Sequence, residues 1–315
     1  MEKLTKQQFD KAVQYLKTQA QDIDRVMFEY FFEHRSVEDV LAVLGSYQNE
    51  DGGFGLLEYD MQFPHSCLKN TENACRYLFD LQEIPGDTPM IHKLISYLVK
   101  NFNMDTGMWN NITVPDGNNY PHAPWWEHED EEKYVPKNRA ELVEHYNPNT
   151  NAALAGMFVK YPSLVPDEIF DQATNVVIEK INSADIEQYG MMSCVYFVNA
   201  WKDENVKNSL RKKLMGDGNL ISILDEEWGT ESAYKLCHWI DSPKHSYYAL
   251  YQEAVTNNLD FIVRSQQEDG AWLPSWSWGD AKVWELAVRR LKGLMTFKFL
   301  LALKRFGRIE GLFSD

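Results

Sequence analysis

The stretch GLLEYDMQFPHS sets Glu58 and Asp60 two positions apart, with His65 five further on. Two carboxylates beside an imidazole form an acid/base pair, or a pair that stabilises a cation, if burial raises one carboxyl pKa. The plain alternative is a solvated loop whose acids cap a helix. A second stretch, NNYPHAPWWEHEDEEKY, brings Tyr120, His122, Trp125, Trp126 and Glu127 into a long insertion. Long loops in compact domains are uncommon and often functional. Paired tryptophans beside a histidine and a glutamate can stack on a sugar, close a lid or stabilise a carbocation through their ring faces. The acidic run Glu129, Asp130, Glu131 and Glu132 that follows reads as a solvated face.

A third stretch, WLPSWSWGDAKVWELAVRR, places Trp276 and Trp278 two apart on an extended loop. Asp280 there is an expected helix N-cap, and packing between helices is the alternative role for the tryptophans. Glu58, Asp60 and His65 are therefore the candidate catalytic residues. His122, Trp125, Trp126, Glu127, Trp276 and Trp278 are the candidate ligand contacts. No metal or cofactor is expected: LCHWID offers Cys237, His238 and Asp241, but an adjacent Cys and His seldom bind one tetrahedral ion together. No serine nucleophile elbow or phosphate-cradling glycine loop occurs.

The elements that must position these residues are announced by a repeat. YQNEDGGFG carries Gln48, Gly52 and Phe54, and SQQEDGAW carries Gln266, Gly270 and Trp272 at the same spacing. NFNMDTGMWN carries Asn103, Gly107 and Trp109, with Asn in place of Gln. A weaker turn lies around Gly218. Each motif reads as a joint: the amide side chain bonds to backbone at a helix end, glycine makes the turn, and the aromatic packs on the next unit. Between the motifs, apolar residues recur at helical spacing, as in Val37, Val40, Leu41 and Leu44, in Ala74, Tyr77, Leu78 and Leu81, and in Ile91, Leu94, Ile95 and Leu98. No period-2 strand is evident. These features predict an all-α chain of about six helical hairpins, one domain over residues 1–315. The last helix is amphipathic and basic, which suits a ring helix with charged ends better than a membrane-surface helix.

The motifs resemble those of the squalene cyclase and protein prenyltransferase superfamily. Within it, YQNEDGGFGLLEYDMQFPHS, PHAPWW and SQQEDGAWLPSWSW are similar to uncharacterised bacterial squalene-cyclase-like repeat proteins. The resemblance implies an α/α toroid, a double ring whose inner helices wall a central cavity. It further implies a terpenoid cyclase- or prenyltransferase-like protein, with acid-promoted chemistry on an isoprenoid-like substrate. The superfamily's Asp-x-Asp-Asp acid and Asp-Asp-x-x-Asp magnesium motif do not occur in this sequence. A carbohydrate-active enzyme (glycosidase or lyase-like) and a non-catalytic binder of a ligand or protein partner stay open beside it.

Composition bounds the partners. The 315 residues carry a net charge of −16, a field that repels nucleic acid and anionic membrane. Aromatic residues make up 13%, with ten tryptophans, which suits a protein that buries aromatics or lines a cavity with them, and the partner expected is a hydrophobic or sugar-like small ligand. MEKLTKQQFD has no apolar signal region, no apolar stretch is long enough to span a bilayer, and the four cysteines show no paired spacing. The expectation is a cytoplasmic protein with reduced thiols and no transmembrane segment.

Overall fold

The computed structural model describes the chain except residues 82, 86, 130–135, 184–185, 187, 216–236, 238–239, 246, 275–276, 280–281 and 313–315. The described residues form twelve α-helices: α1 (Lys6–Thr18), α2 (Asp22–Glu33), α3 (Val37–Gly45), α4 (Leu68–Asp80), α5 (Pro89–Asn101), α6 (Arg139–His145), α7 (Pro148–Lys160), α8 (Asp167–Ser183), α9 (Gln188–Ala200), α10 (Glu204–Met215), α11 (Tyr248–Arg264) and α12 (Glu285–Arg305). Strand-like pairing among them is limited to isolated bridges, so the chain is all-α, as the periodicity predicts. No described helix is long and apolar enough to cross a membrane. The turn around Gly218 lies outside the described residues.

The chain divides into two compact units, Met1–Val43 with Ile221–Asp315, and Leu44–Leu220. In the first, α1 begins with a capping box: Gln8 N donates to Thr5 Oγ1 at 3.3 Å, and Thr5 N donates to Gln8 Oε1 at 3.0 Å. Its buried stripe of Ala12, Tyr15 and Leu16 packs with α12, which also lies against α2. The two chain ends clasp. Leu4 N donates to Arg308 O at 2.8 Å, and Glu310 N to Leu4 O at 2.9 Å. The buried Arg308 guanidinium pairs with Asp260 and donates to Glu2 O.

In the second unit α7 is the central element, buried from Asn151 to Val159 and packed on α9, α8 and α4. Small residues allow this: a Cβ on Gly156 would stand 3.1 Å from Phe197 Cα of α9 and 3.0 Å from the Phe79 ring of α4. The Lys160 ammonium at the end of α7 donates to Leu78 O at 2.7 Å, capping the last turn of α4. Burial depresses its pKa to about 8.

The first and last repeat turns share one geometry. Gln48 Nε2 donates to Gly52 O and to Met90 O of α5, both at 3.0 Å. Gln266 Nε2 donates to Gly270 O at 2.8 Å and to Gln8 O of α1 at 3.0 Å. Asn103 is too short for this reach, and its Oδ1 instead accepts from Asp105 N and Thr106 N, while Gln172 of α8 supplies the missing amide to Met104 O at 2.6 Å. Phe54, Trp109 and Trp272 are fully buried, and the indoles of Trp109 and Trp272 donate to Leu98 O and Ile262 O at the ends of the preceding helices.

Glycine is required at the turn apex on two counts. Gly52 has φ 95° and Gly270 has φ 89°, and a Cβ would fall 2.2 Å from Lys93 O or 2.4 Å from Lys11 C. Gly52→Ala and Gly270→Ala are each expected to lower stability by about 2–3 kcal/mol in urea denaturation, through backbone strain plus overlap. Gly117, which has open space around its Cβ position, is the control. Gly117→Ala should change stability by no more than about 0.5 kcal/mol, and equal losses at all three positions would refute the turn geometry.

Candidate functional site

The loop after the first repeat turn is fixed by one buried side chain. Asn70 Oδ1, in the first turn of α4, accepts from Leu57 N at 2.8 Å and Glu58 N at 2.7 Å. Its Nδ2 donates to Phe63 O at 3.4 Å and Cys67 Sγ at 3.3 Å. Leu56 takes φ 60°, a conformation that costs a non-glycine residue about 1–2 kcal/mol, and its N donates to Phe63 O at 2.8 Å. This fold of the loop turns Glu58 and Asp60 inward, with only 1% and 2% exposure.

The insertion lies on this loop. Gln62 N donates to Pro121 O at 2.8 Å, Ala123 N to Asp60 O at 2.9 Å, and Lys69 N to Ile112 O at 3.0 Å. Trp126 Nε1 donates to Asp60 Oδ1 at 2.6 Å, and its ring lies 5.0 Å from the Lys69 ammonium. Beneath, Met61, Phe63 and Cys67 form a small core covered by Val114, Tyr120 and Trp126. Burial pushes the Cys67 thiol up to about 11, so it is a packing group rather than a nucleophile.

Three carboxylates and two cations meet here. Lys69 Nζ lies 2.9 Å from Glu72 Oε2 and 3.4 Å from Glu58 Oε2, and Arg76 Nε pairs with the other oxygen of Glu72. Asn73 Nδ2 donates to Glu58 Oε2 at 2.8 Å. Burial raises the Glu72 pKa, but the charges and hydrogen bonds of Arg76 and Lys69 outweigh it and hold the carboxyl below its usual range. Burial opposes the charge on Arg76, and Glu72 overcomes that as well, so Arg76 is raised. The Arg76 guanidinium rests over the Tyr196 ring.

The structure thus brings together Glu58, Asp60, His122 and Trp126, with His65 at the rim. The exposed His65 stands edge-on to Phe63 and Tyr120 at 5.5 and 6.2 Å. His122 Nδ1 donates to Tyr120 O at 2.7 Å, which leaves Nε2 as the acceptor in the neutral ring. Trp125 projects outward with 58% exposure, and Glu127 is exposed beside it. Trp278 belongs to the other unit, where it stacks on Trp284 at 6.2 Å. Trp276 and Asp280 lie outside the described residues, as does Asp130–Glu132 of the acidic run.

Lys69, Asn70, Glu72, Asn73 and Arg76 carry most of the site's bonds, yet the candidate residues read from the sequence do not include them. In LKNTENACR their spacing reads as the solvated face of a short helix, and the Glu58 loop, the insertion and Tyr196 of α9 cover it instead. Among the described residues no group of His, Cys, Asp and Glu is arranged to hold a metal ion. His238 is outside them, while Asp241 pairs with Arg305 at 3.3 Å. No family model matches this sequence, and no curated protein matches it.

The network makes stability depend on pH. With its pKa below the ordinary 4.5, Glu72 contributes stability that is present above that value and lost as pH falls through the folded-state pKa. Glu72→Gln leaves the buried Lys69 and the partly exposed Arg76 under-compensated and should cost about 2–3 kcal/mol at pH 7. The gap between variant and parent should narrow as pH falls from 5 to 3 in denaturant titrations; a gap independent of pH would show that Glu72 is not ionised in the fold.

Proposed function

We propose that this chain is a toroid-class binding protein for a small polar ligand of carbohydrate type, with Trp125 as the stacking surface. The toroid part rests on the repeat turns. The first turn sets its Gln on Met90 O and its glycine three residues further along α5, at Lys93. The last turn sets its Gln on Gln8 O and its glycine on Lys11 of α1, in the same register. A C-terminal repeat that docks on the first helix as an earlier repeat docks on its successor is what ring closure requires.

The observation that carries the ligand reading is an exposed tryptophan standing beside a rigidly held one. Trp126 is fixed by Asp60 and the Lys69 ammonium, so the adjoining Trp125 is presented on an ordered turn. His122 Nε2 and Glu127 beside it suit the hydroxyl groups of a ring stacked on the indole. The buried carboxylates favour binding over acid-initiated chemistry: an initiating acid must hold a proton and meet substrate, whereas Glu72 is kept ionised and Glu58 and Asp60 are engaged and covered. In this reading Glu58, Asp60 and Glu72 position the loops.

Tryptophan fluorescence of the full chain, titrated against a panel of neutral and acidic mono- and oligosaccharides, tests the proposal. Saturable quenching by at least one glycan is expected, with affinity lowered at least tenfold in Trp125→Ala and unfolding unchanged. Binding that survives Trp125→Ala, or no response across the panel, would overturn it.

A further inference from the structure

The first unit has an open groove of about 630 Å³ between α1 and the start of α12, lined by Trp284, Val288, Lys292 and the exposed Glu285 and Arg289 on one side and by Gln14, Tyr15 and Gln19 on the other. Its charges sort into two kinds. The Lys292 ammonium is committed: it pairs with Asp269 and lies 5.0 Å from the Tyr15 ring. Glu285 and Arg289 stand one turn apart on α12, at a spacing that permits an ion pair. Yet they are not joined, and neither has a hydrogen bond or ion pair among the described residues. Both open on the same groove. A simple anion placed there would meet Glu285, and a simple cation would meet Arg289. A ligand that carries both charges on adjacent atoms satisfies the two together. Trp284, held by its stack on Trp278, and Val288 add an apolar wall beside the charged pair.

We propose that this groove binds a free α-amino acid with a large apolar side chain. Arg289 takes the carboxylate, Glu285 takes the ammonium, Trp284 and Val288 take the side chain, and the Gln14 and Gln19 amides line the facing wall. The site is separate in residues from the tryptophan platform above, so either can stand without the other.

Isothermal titration of the full chain with L-phenylalanine, L-tryptophan, L-leucine and glycine tests it, alongside N-acetyl-L-phenylalanine and L-phenylalaninamide. At least one of the three large amino acids should bind at submillimolar concentration, and glycine at least tenfold more weakly. Blocking either end should weaken binding at least tenfold, as should Glu285→Gln and Arg289→Gln. Lys6→Gln, on the exposed start of α1, should leave binding unchanged. No heat from any of the large amino acids at millimolar concentration would overturn the proposal. Equal binding of the amide, which would point to a peptide N-terminus, or of the acetyl derivative would overturn it too, as would full binding by both α12 variants. The comparison among ligands on the unaltered protein decides the matter even if a variant folds poorly.

Discussion

A buried backbone N–H must have a partner, and in this protein that requirement recurs at the most deeply buried aromatic residues. The N–H of Phe54 donates to Thr71 Oγ1 at 3.0 Å, that of Trp109 to Asn151 Oδ1 at 2.8 Å, and that of Trp272 to Thr296 Oγ1 at 3.4 Å. The acceptors lie on α4, α7 and α12, each a helix that follows its turn in the chain. The bond ties the turn to that helix whatever the chain does in between. What it does in between varies, since the partners are 17, 42 and 24 residues apart. The two loops of the tryptophan platform and the loop leading to the α12 groove all fall in these intervals. The Glu58 loop, the insertion and the loop leading to α12 thus occupy the part of the repeat whose length the joint leaves open.

The ionic cluster under the platform follows from a loop covering the start of a helix. Once the insertion lies over α4, its first turns leave water with Lys69 and Glu72 on them. An isolated charge in such a place would be prohibitive, and the arrangement stands because each charge meets its opposite and residual acceptors meet amides. Such a cluster adds little net stability against an apolar one of the same shape. It does penalise any shift of the loops, because a displaced loop would leave a charge buried and alone.

The fold class was legible because it rests on periodicity and on local turn chemistry. Helical stripes beginning at Val37 and Ile91 marked the starts of α3 and α5 to within two residues, the stripe from Ala74 marked the second half of α4, and the paired motifs marked the joints. Less legible were α1 and α2, although Thr5 and Gln8 spell a capping box, and α6, a short helix inside the insertion. Of the site, the sequence showed its loops and not its floor. Glu58, Asp60 and Trp126 could be singled out by residue type, but their meeting depends on the pairing of Gln62 with Pro121 and of Ala123 with Asp60, contacts between segments distant in sequence. Whether a carboxylate is covered or open is settled by such contacts and leaves no local trace.

The clasp between the chain ends bears on the order in which the molecule can be made. One unit is continuous, from Leu44 to Leu220, and its partners for α4, α7 and α9 are all present before the rest of the chain is synthesised. The other needs Leu4, α1 and α2 together with α12 and Arg308, segments separated by more than 200 residues of sequence. Until α12 emerges, the faces of α1 and α2 that pack on it have no cover. That interval leaves Phe31 without the Phe297 ring it stacks on at 6.0 Å, and it is when the nascent chain is most exposed to misassociation.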